Sequence, residues 1–321
     1  MIVTLTPNPS IDATIALDSS LKPGTVHRAQ SMTNAAGGKG INVAHAVTLA
    51  SQPTLAVCPA AAHDPFISLV RDINVDIKTV EIAQTIRTNT TVTEASGRTT
   101  KLNGKGPLVD HSAQQQLIDA TCDAAANASW VVMAGSLPNG VPTDFYVTAI
   151  KALRQAAPEV HIALDTSDKP MEEISQHLDV AAPDLLKPNG LELGQLVGED
   201  GLALEEAAER GDFSGVIAAA HKVNAQGVKY VLVTLGAAGA LLVTESGAWI
   251  ASPPPITVTS TVGAGDSSLA GFLLAQAAGK TLPESLQQSV AYGSAATSLP
   301  GTTIPTPDML NLSQTTVREL K

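Results

Sequence analysis

Short apolar runs alternate with longer segments of helical periodicity after Ser112, and this alternation constrains the fold more than any other feature of the chain. Helices are predicted over residues 112–127 and 142–156. The apolar runs predict strands over residues 130–133, 162–165, 184–187 and 228–233. Such a pattern indicates βαβ units, and therefore a three-layer α/β/α domain with a mostly parallel central sheet. Functional loops of this architecture gather at the carboxyl ends of its strands.

The first third of the chain differs, because it contains two excursions with strand-like patterns. After a buried strand over residues 2–6, strands are predicted over residues 11–17 and 25–33, on either side of Lys22-Pro23-Gly24. Residues 87–102 are rich in Thr and Val and are interrupted at Ser96-Gly97. Four short strands cannot bury much surface alone. We therefore expect one catalytic domain over residues 1–321, with a small β-sheet lid formed by insertions at about 12–33 and 86–103.

Composition excludes several classes of function. The net charge of -11 argues against binding to nucleic acid or to anionic membranes, so cations that meet phosphate must be locally placed. Cys58 and Cys122 are too few for a disulfide framework or a zinc site, and are expected to be free thiols. No apolar run approaches the ~18 residues of a membrane span, and no signal peptide is recognisable. A cytoplasmic location is expected.

Residues 260–267, STVGAGDS, carry a carboxylate at the start of an apolar helical run over residues 267–278. Gly263 and Gly265 let backbone approach a ligand closely, and the free N–H groups of a helix start attract anions. Asp266 would repel a phosphate, so it is better suited to take a proton from an attacking hydroxyl during phosphoryl transfer. The alternative is a simple glycine turn followed by an ordinary first-turn carboxylate.

A second glycine cluster, NAAGGKGINVAHA at residues 34–46, also enters a helix. Lys39 and Asn42 are three residues apart and share one helix face. The helix dipole disfavours a lysine at this end, so Lys39 is expected to hold an anion. The spacing of a Walker A loop is missing, and Gly40 stands where that loop has the Ser or Thr that binds magnesium. A P-loop NTPase is therefore disfavoured.

These two motifs together resemble the ribokinase-like PfkB family of carbohydrate kinases. TLTPNPSID at residues 4–12, GSLP at 135–138 and LPGT at 299–302 resemble its branch of 1-phosphofructokinases and tagatose-6-phosphate kinases, and the matches follow family order from about residue 4 to 303. The resemblance implies a ribokinase-like fold and an ATP- and Mg²⁺-dependent kinase. It also implies that Asp266 is the general base, and that the backbone of Gly263, Ala264 and Gly265 stabilises the moving phosphoryl group.

The resemblance assigns the sugar side of the site to the GGKG-x-N motif and three further residues. It implies that the sugar pocket is lined by Asp12, Gly37, Gly38, Lys39 and Asn42. Arg87 and Ser136 would meet the phosphate already present on the substrate, because two cations, Lys39 and Arg87, suit a phosphosugar better than a neutral sugar. Without the family, Asp12 is a turn-forming residue, Arg87 a solvated strand arginine and Ser136 the start of a turn.

On the nucleotide side, the resemblance implies that ATP meets Lys187, Thr234, Gly236, Gly239 and Ser294. Asn189 and Glu192 match the family's N-x-x-E pattern, in which they help to organise Mg²⁺ through water. Considered alone, the same pair is a helix N-cap with a capping-box acid. Residues 234–239 could likewise be only a hairpin turn.

The expected substrate is a phosphorylated ketohexose, D-fructose 1-phosphate first, with tagatose 6-phosphate or fructose 6-phosphate as alternatives. A non-catalytic sugar- or nucleotide-binding regulator is the alternative from another class, which Asp266 disfavours because a sensor needs no base. Two departures affect these expectations: Ser260 stands where many relatives have Asp, and Asn-Gly-Lys-Gly at 103–106 replaces Asn-Glu-Pro-Gly. The exposed lid suggests a homodimer.

Overall fold

The computed structural model describes residues 1–320, which form two β-sheets and the helices that cover them. The strands are β1 (Ile2–Leu5), β2 (Ser10–Ala16), β3 (Ser31–Gly37), β4 (Thr54–Ala60), β5 (Ile77–Glu81), β6 (Arg87–Thr93), β7 (Thr99–Asn103), β8 (Trp130–Ala134), β9 (His161–Asp165), β10 (Leu185–Leu186), β11 (Tyr230–Thr234), β12 (Ala240–Thr244), β13 (Gly247–Ser252) and β14 (Thr316–Leu320). The helices are α1 (Lys39–Leu49), α2 (Pro65–Asp72), α3 (His111–Ala125), α4 (Phe145–Ala156), α5 (Asp168–Ser175), α6 (Leu178–Ala181), α7 (Gly190–Val197), α8 (Gly201–Glu209), α9 (Ser214–Asn224), α10 (Ala264–Ala277) and α11 (Leu282–Thr297).

The large sheet has the strand order β14-β13-β12-β11-β10-β9-β8-β1-β4-β5. The seven strands from β11 to β5 in this order are parallel, and β12, β13 and β14 add an antiparallel edge. Alternate residues of one strand enter two cores: Val131 and Met133 pack in one, whereas Val132 and Ala134 pack in the other with α1 and α10. The predicted three-layer α/β/α architecture is confirmed.

The small sheet has the order β3-β2-β6-β7. Its first two strands come from one predicted excursion and its last two from the other. The strand predicted over residues 25–33 was wrong: β3 occupies Ser31–Gly37 instead. The physical reason is a closed loop before it, in which the Thr25 hydroxyl donates to the Lys22 carbonyl and the Lys22 N–H donates to Nε2 of His27, at 2.9 and 3.0 Å. The role of this sheet as a lid stays a prediction.

Two helices begin at the glycine motifs, and both start after a residue with a positive φ, a conformation that glycine adopts without strain. Gly38 has φ 116° before α1, and Gly263 has φ 78° before α10. The helix predicted to start at residue 267 therefore starts at Ala264, since Ala264, Gly265 and Asp266 form its first turn. Within residues 1–320, none of the helices is long and apolar enough to cross a membrane.

Candidate active site

Four charged side chains from distant parts of the chain meet at the carboxyl edge of the large sheet. Asp165 ends β9, Lys187 follows β10, Lys39 opens α1 and Asp266 lies in the first turn of α10. Parallel strands bring their carboxyl ends to one edge, and the two helix starts face the same edge. The predicted residues Lys39, Lys187 and Asp266 are therefore brought together, with a fourth that the sequence did not indicate.

Asp165 is the residue that links this cluster. Its carboxylate is fully buried, with Oδ1 2.7 Å from Nζ of Lys39 and Oδ2 3.1 Å from Nζ of Lys187. The second contact is an ion pair outside hydrogen-bond geometry, which leaves Oδ2 without a hydrogen-bond partner. Burial acts to raise the pKa of Asp165, but Lys187 and Lys39 hold it below its usual range. Asp165 is therefore ionised and holds both lysines.

Lys39 already has an anionic partner. Burial acts to lower the pKa of the Lys39 amine, but Asp165 and Asp266 together raise it above its ordinary value. The lysine is thus a fixed cation at neutral pH. Its expected contact with the substrate stays a prediction, and the anion that holds it in this structure is Asp165.

Asp266 lies in a different environment from Asp165. Its Oδ2 accepts a hydrogen bond of 2.8 Å from Nδ2 of Asn42, and the residue is only 7% exposed. Burial raises the pKa of Asp266, while Lys39 acts in the opposite direction. A carboxylate whose pKa lies above the ordinary range is a stronger base, which general-base catalysis requires.

The start of α10 supplies donors beside that base. The first intrahelical bond runs from the Ser267 N–H to the Gly263 carbonyl at 2.9 Å, so the N–H groups of Gly265 and Asp266 precede it. A Cβ on Gly265 would lie 3.3 Å from Nζ of Lys187. The glycine thus leaves room for an anion between the amides and a buried cation.

The predicted sugar residues Asp12 and Gly37 lie close together on neighbouring strands of the small sheet, two residues apart in the register. Oδ1 of Asp12 accepts hydrogen bonds from Ser10 Oγ at 2.8 Å and Asn89 Nδ2 at 3.2 Å. A Cβ on Gly37 would overlap the Asp12 carboxylate, so a larger residue there would displace that carboxylate. Asn89 was not indicated by the sequence, although its pairing with Asp12 across β2 and β6 makes it part of the same surface.

Arg87 and Ser136 are connected through Asn8. Nη2 of Arg87 donates to the Asn8 carbonyl at 3.2 Å, and Nδ2 of Asn8 donates to Ser136 Oγ at 3.1 Å. Burial lowers the pKa of the half-buried Arg87, opposed by Asp12, and Nε of Arg87 is buried without a hydrogen-bond partner. Among residues 1–320, no carboxylate forms a salt bridge with Arg87. An anion from outside the protein would satisfy it.

Asn189 and Glu192 form the capping box that the sequence offered as the alternative interpretation. Glu192 N–H donates to Asn189 Oδ1 at 2.7 Å, and Asn189 N–H donates to Glu192 Oε2 at 2.9 Å. Burial raises the pKa of Glu192. The cap leaves Oε1 of Glu192 free to contact a metal-bound water. Among the described residues, no three His, Cys, Asp or Glu side chains are grouped as direct metal ligands.

The remaining nucleotide residues give a mixed result. Thr234 N–H donates to the Pro188 carbonyl at 3.0 Å, which brings the loop after β11 next to Lys187 and Asn189. Gly236 and Gly239, with φ of 54° and 101°, lie in the turn between antiparallel β11 and β12, which is the hairpin offered as the alternative. The Ser294 hydroxyl donates within α11 to the Val290 carbonyl at 2.7 Å. Its adenine contact stays a prediction.

A buried carboxylate, helix-start amides and two lysines paired with Asp165 together fit an enzyme that transfers a phosphoryl group. The profile of the pfkB family of carbohydrate kinases matches residues 6–309, and the chain belongs to that family. The resemblance inferred from the glycine motifs is thereby confirmed. Membership makes the protein a kinase that phosphorylates a sugar hydroxyl.

Individual relatives support the same classification. A 1-phosphofructokinase of Xanthomonas campestris pv. campestris is 36% identical over 276 residues, covering 85% of this chain and 83% of the relative. A 1-phosphofructokinase of Haloferax volcanii is 34% identical over 311 residues, covering 95% and 93%. The crystal structure of phosphofructokinase-2 from Escherichia coli in complex with substrates and products has a TM-score of 0.83 at 31% identity, covering 96% of each chain. The fold is therefore ribokinase-like.

Proposed function

We propose that the protein is an ATP-dependent 1-phosphofructokinase, which converts D-fructose 1-phosphate and ATP to fructose 1,6-bisphosphate and ADP. The observation that carries the proposal is the position of the buried Asp266 carboxylate at the amide-rich start of α10, with Lys187 beside Gly265. Several relatives named 1-phosphofructokinase, at 29–36% identity, support the choice of substrate.

The chemistry follows from the charges at this edge. Asp266 removes the proton of the free sugar hydroxyl as the oxygen attacks the γ-phosphoryl group, and the bond from phosphorus to the β-γ bridging oxygen of ATP breaks. The N–H groups of Gly265 and Asp266, with Lys187, stabilise negative charge on the transferred group. Asn42 orients the base through its bond to Oδ2. The new phosphate ester keeps the sugar oxygen, and Asp266 holds the proton until it is released to solvent.

The two ends of the substrate would be held by different elements. Asp12 accepts hydrogen bonds from sugar hydroxyls, with Gly37 and Gly38 admitting the ring close to backbone. Arg87 and Ser136 bind the phosphate already present, since among the described residues the buried Nε of Arg87 has no hydrogen-bond partner and the guanidinium has no carboxylate neighbour in an ion pair. This requirement for a bound phosphate favours a phosphosugar over a neutral sugar.

ATP is assigned to the loops after β10 and β11, with Lys187, Thr234, Gly236 and Gly239 as contacts. Hard oxygen ligands suit Mg²⁺, and the Glu192 carboxylate, together with Asn189, would hold it through water. Bound Mg²⁺ would neutralise charge on the nucleotide phosphates.

Assays of ADP formation with ATP and a panel of phosphosugars test the proposal. Fructose 1-phosphate should give the highest kcat/KM, ahead of tagatose 6-phosphate and fructose 6-phosphate. The last of these is a specific alternative, because relatives named ATP-dependent 6-phosphofructokinase isozyme 2 are 32–33% identical to the chain. Binding of a phosphosugar with no ADP formed from any of them would instead indicate a regulator.

We also infer a homodimer that forms through the small sheet. Met32 and Leu102 are exposed, and they lie on the face opposite Asp12, since they pair with Ile15 and Thr90. The tetrameric inhibited form of phosphofructokinase-2 from E. coli, a structural neighbour at 31% identity, supports self-association. Light scattering of the wild type and Met32→Ser tests it: the variant should be shifted toward monomer. A cytoplasmic location remains an expectation.

A further inference from the structure

Asn8 has an unusual position between the two groups assigned to the substrate phosphate. It lies in the loop after β1, between Pro7 and Pro9, and is only 5% exposed. Prolines on both sides restrict the backbone of this loop, and burial and the hydrogen bond to Ser136 restrict the side chain. Neither the family motifs nor the proposed mechanism gives Asn8 a role.

Each polar group of Asn8 faces a different part of the site. The carbonyl accepts from Arg87 Nη2 at 3.2 Å, and Nδ2 donates to Ser136 Oγ at 3.1 Å. Oδ1 is buried without a hydrogen-bond partner, against Gly106, where any side chain would clash with it. One residue therefore connects the small sheet, the loop after β8 and the segment that returns from β7.

The direction of these hydrogen bonds decides what Ser136 can do. A hydroxyl has one hydrogen to donate and lone pairs to accept with. Because Asn8 donates to Ser136 Oγ, the serine hydrogen is left to donate elsewhere. The Arg87 guanidinium is held at one corner by the Asn8 carbonyl, and its Nε remains without a partner. Ser136 and Arg87 are thus both joined to Asn8, and each keeps a hydrogen that it can donate.

We propose that Asn8 is a positioning residue for the phosphate carried by the substrate: its side chain orients the Ser136 hydroxyl as a donor while its carbonyl holds Arg87. The inference rests on the proposed function for the identity of the ligand, a sugar phosphate monoester. Asn8 itself does not touch the reacting atoms. Its loss should weaken binding of the phosphorylated end of the substrate and leave the transfer step almost unchanged.

The test compares Asn8→Ala with a matched control, Asn139→Ala. Asn139 Nδ2 donates to the Gly106 carbonyl at 2.6 Å, so it braces the same return segment without contacting Arg87 or Ser136. Fructose 1-phosphate binding is measured by calorimetry, with kinetics in parallel. Asn8→Ala should raise Kd and KM for fructose 1-phosphate about tenfold, the effect of one lost hydrogen bond to a charged ligand. The KM for ATP and kcat should change less than about threefold, and Asn139→Ala should resemble the wild type.

A double-mutant cycle with Ser136→Ala separates positioning from general loosening of the loop. If Asn8 acts through Ser136, the Ser136→Ala change should weaken binding much less in the Asn8→Ala background than in the wild type. Additive losses, or equal losses in Asn8→Ala and Asn139→Ala, would overturn the inference. Loss of affinity for fructose equal to that for fructose 1-phosphate would overturn it as well.

A second variant covers the case in which Asn8→Ala does not fold. Asn8→Asp keeps the shape of the side chain, but its carboxylate would accept the Ser136 hydrogen and repel phosphate, so a larger rise in Kd for fructose 1-phosphate is expected.

Calorimetry also separates this inference from the proposed function. Wild type that binds fructose 1-phosphate without forming ADP contradicts the function alone, and the variants still decide the inference. Wild type that binds no phosphosugar contradicts both.

Discussion

Two clusters of buried carboxylates and cations lie at opposite edges of the large sheet, and they are built differently. At the amino edge, Asp184 precedes β10 and accepts hydrogen bonds from Arg154 Nη2 and the Ile162 N–H, each at 2.8 Å, and it forms an ion pair with Lys229 Nζ, also at 2.8 Å. At the carboxyl edge, Asp165 pairs with Lys39 and Lys187, while Asp266 accepts a side-chain hydrogen bond from Asn42 and forms no salt bridge within residues 1–320, although Lys39 acts to lower its pKa.

The two clusters differ in how well hydrogen-bond donors and cations satisfy their buried carboxylates. Burial opposes ionisation of Asp184, but its three donors hold its pKa below the usual range. The pKa of Asp266 is shifted upward by burial, and Oδ2 of Asp165 lacks an aligned donor. Similar residue types therefore complete a structural ion pair at one edge and remain available for chemistry at the other.

Asp266→Asn should give the largest effect. Removal of the general base is expected to lower kcat by about 10²–10⁴-fold, with KM values and thermal stability close to wild type. Steady-state kinetics and a thermal unfolding curve measure both. Turnover near the wild-type value would exclude Asp266 as the base. The carboxylates at both edges of the sheet would then be structural.

Asp165→Asn should have the next largest effect on activity. The amide cannot hold two ammonium groups, so Lys39 and Lys187 lose their common anchor and repel each other. We expect kcat/KM to fall about tenfold or more for both the sugar phosphate and ATP, equivalent to roughly 1.4 kcal/mol of lost interaction. Asp184→Asn is the control, and should leave both values unchanged. A loss confined to one substrate would mean that Asp165 serves only one lysine.

The sequence predicted the edge of the sheet at which these residues meet, but not their pairing. The strands could be recognised because they are apolar on both faces of the sheet: Val131 enters one core and the next residue, Val132, enters the other. Asp165 was missed because its partners are 126 and 22 residues away, and a polar residue at a strand end is unremarkable by itself. Only the assembled fold reveals such a contact.

Local hydrogen bonds account for the other differences. The strand predicted over 25–33 failed because side chains of Thr25 and His27 close a loop with Lys22. For Asn189 and Glu192, the structural capping box and a water-mediated role at a metal are compatible, since the cap uses only one carboxylate oxygen. Local pattern therefore could not choose between them.

Asp184→Asn should reduce stability and leave catalysis intact. Loss of the charge weakens the hydrogen bond from Arg154 and the ion pair with Lys229, and the partly exposed cations can return to solvent, so we expect a loss of about 1–3 kcal/mol in the free energy of unfolding at pH 7. Denaturant unfolding measures it. The milder Lys229→Met, at a side chain that is 61% exposed, should cost less than about 1 kcal/mol. Equal losses in the two variants would show that Asp184 is not the centre of the cluster.

The smallest expected effect is a difference between two pH dependences. The folded pKa of Asp184 is lowered, so its contribution to stability is complete above the unfolded value of ~3.9 and is lost as pH falls through the lower folded pKa. The pKa of Asp266 is raised, so the base is protonated while Asp184 is still ionised. The acid limb of kcat/KM, which reports the free enzyme, should therefore lie above pH ~3.9 in protein that circular dichroism shows to be folded.

Lys39→Met should move the acid limb of kcat/KM to higher pH, because it removes the cation that opposes protonation of Asp266, and Asp184→Asn should leave it in place. A limb that coincides with acid unfolding in both variants would mean that the two carboxylates do not differ in the way their surroundings indicate.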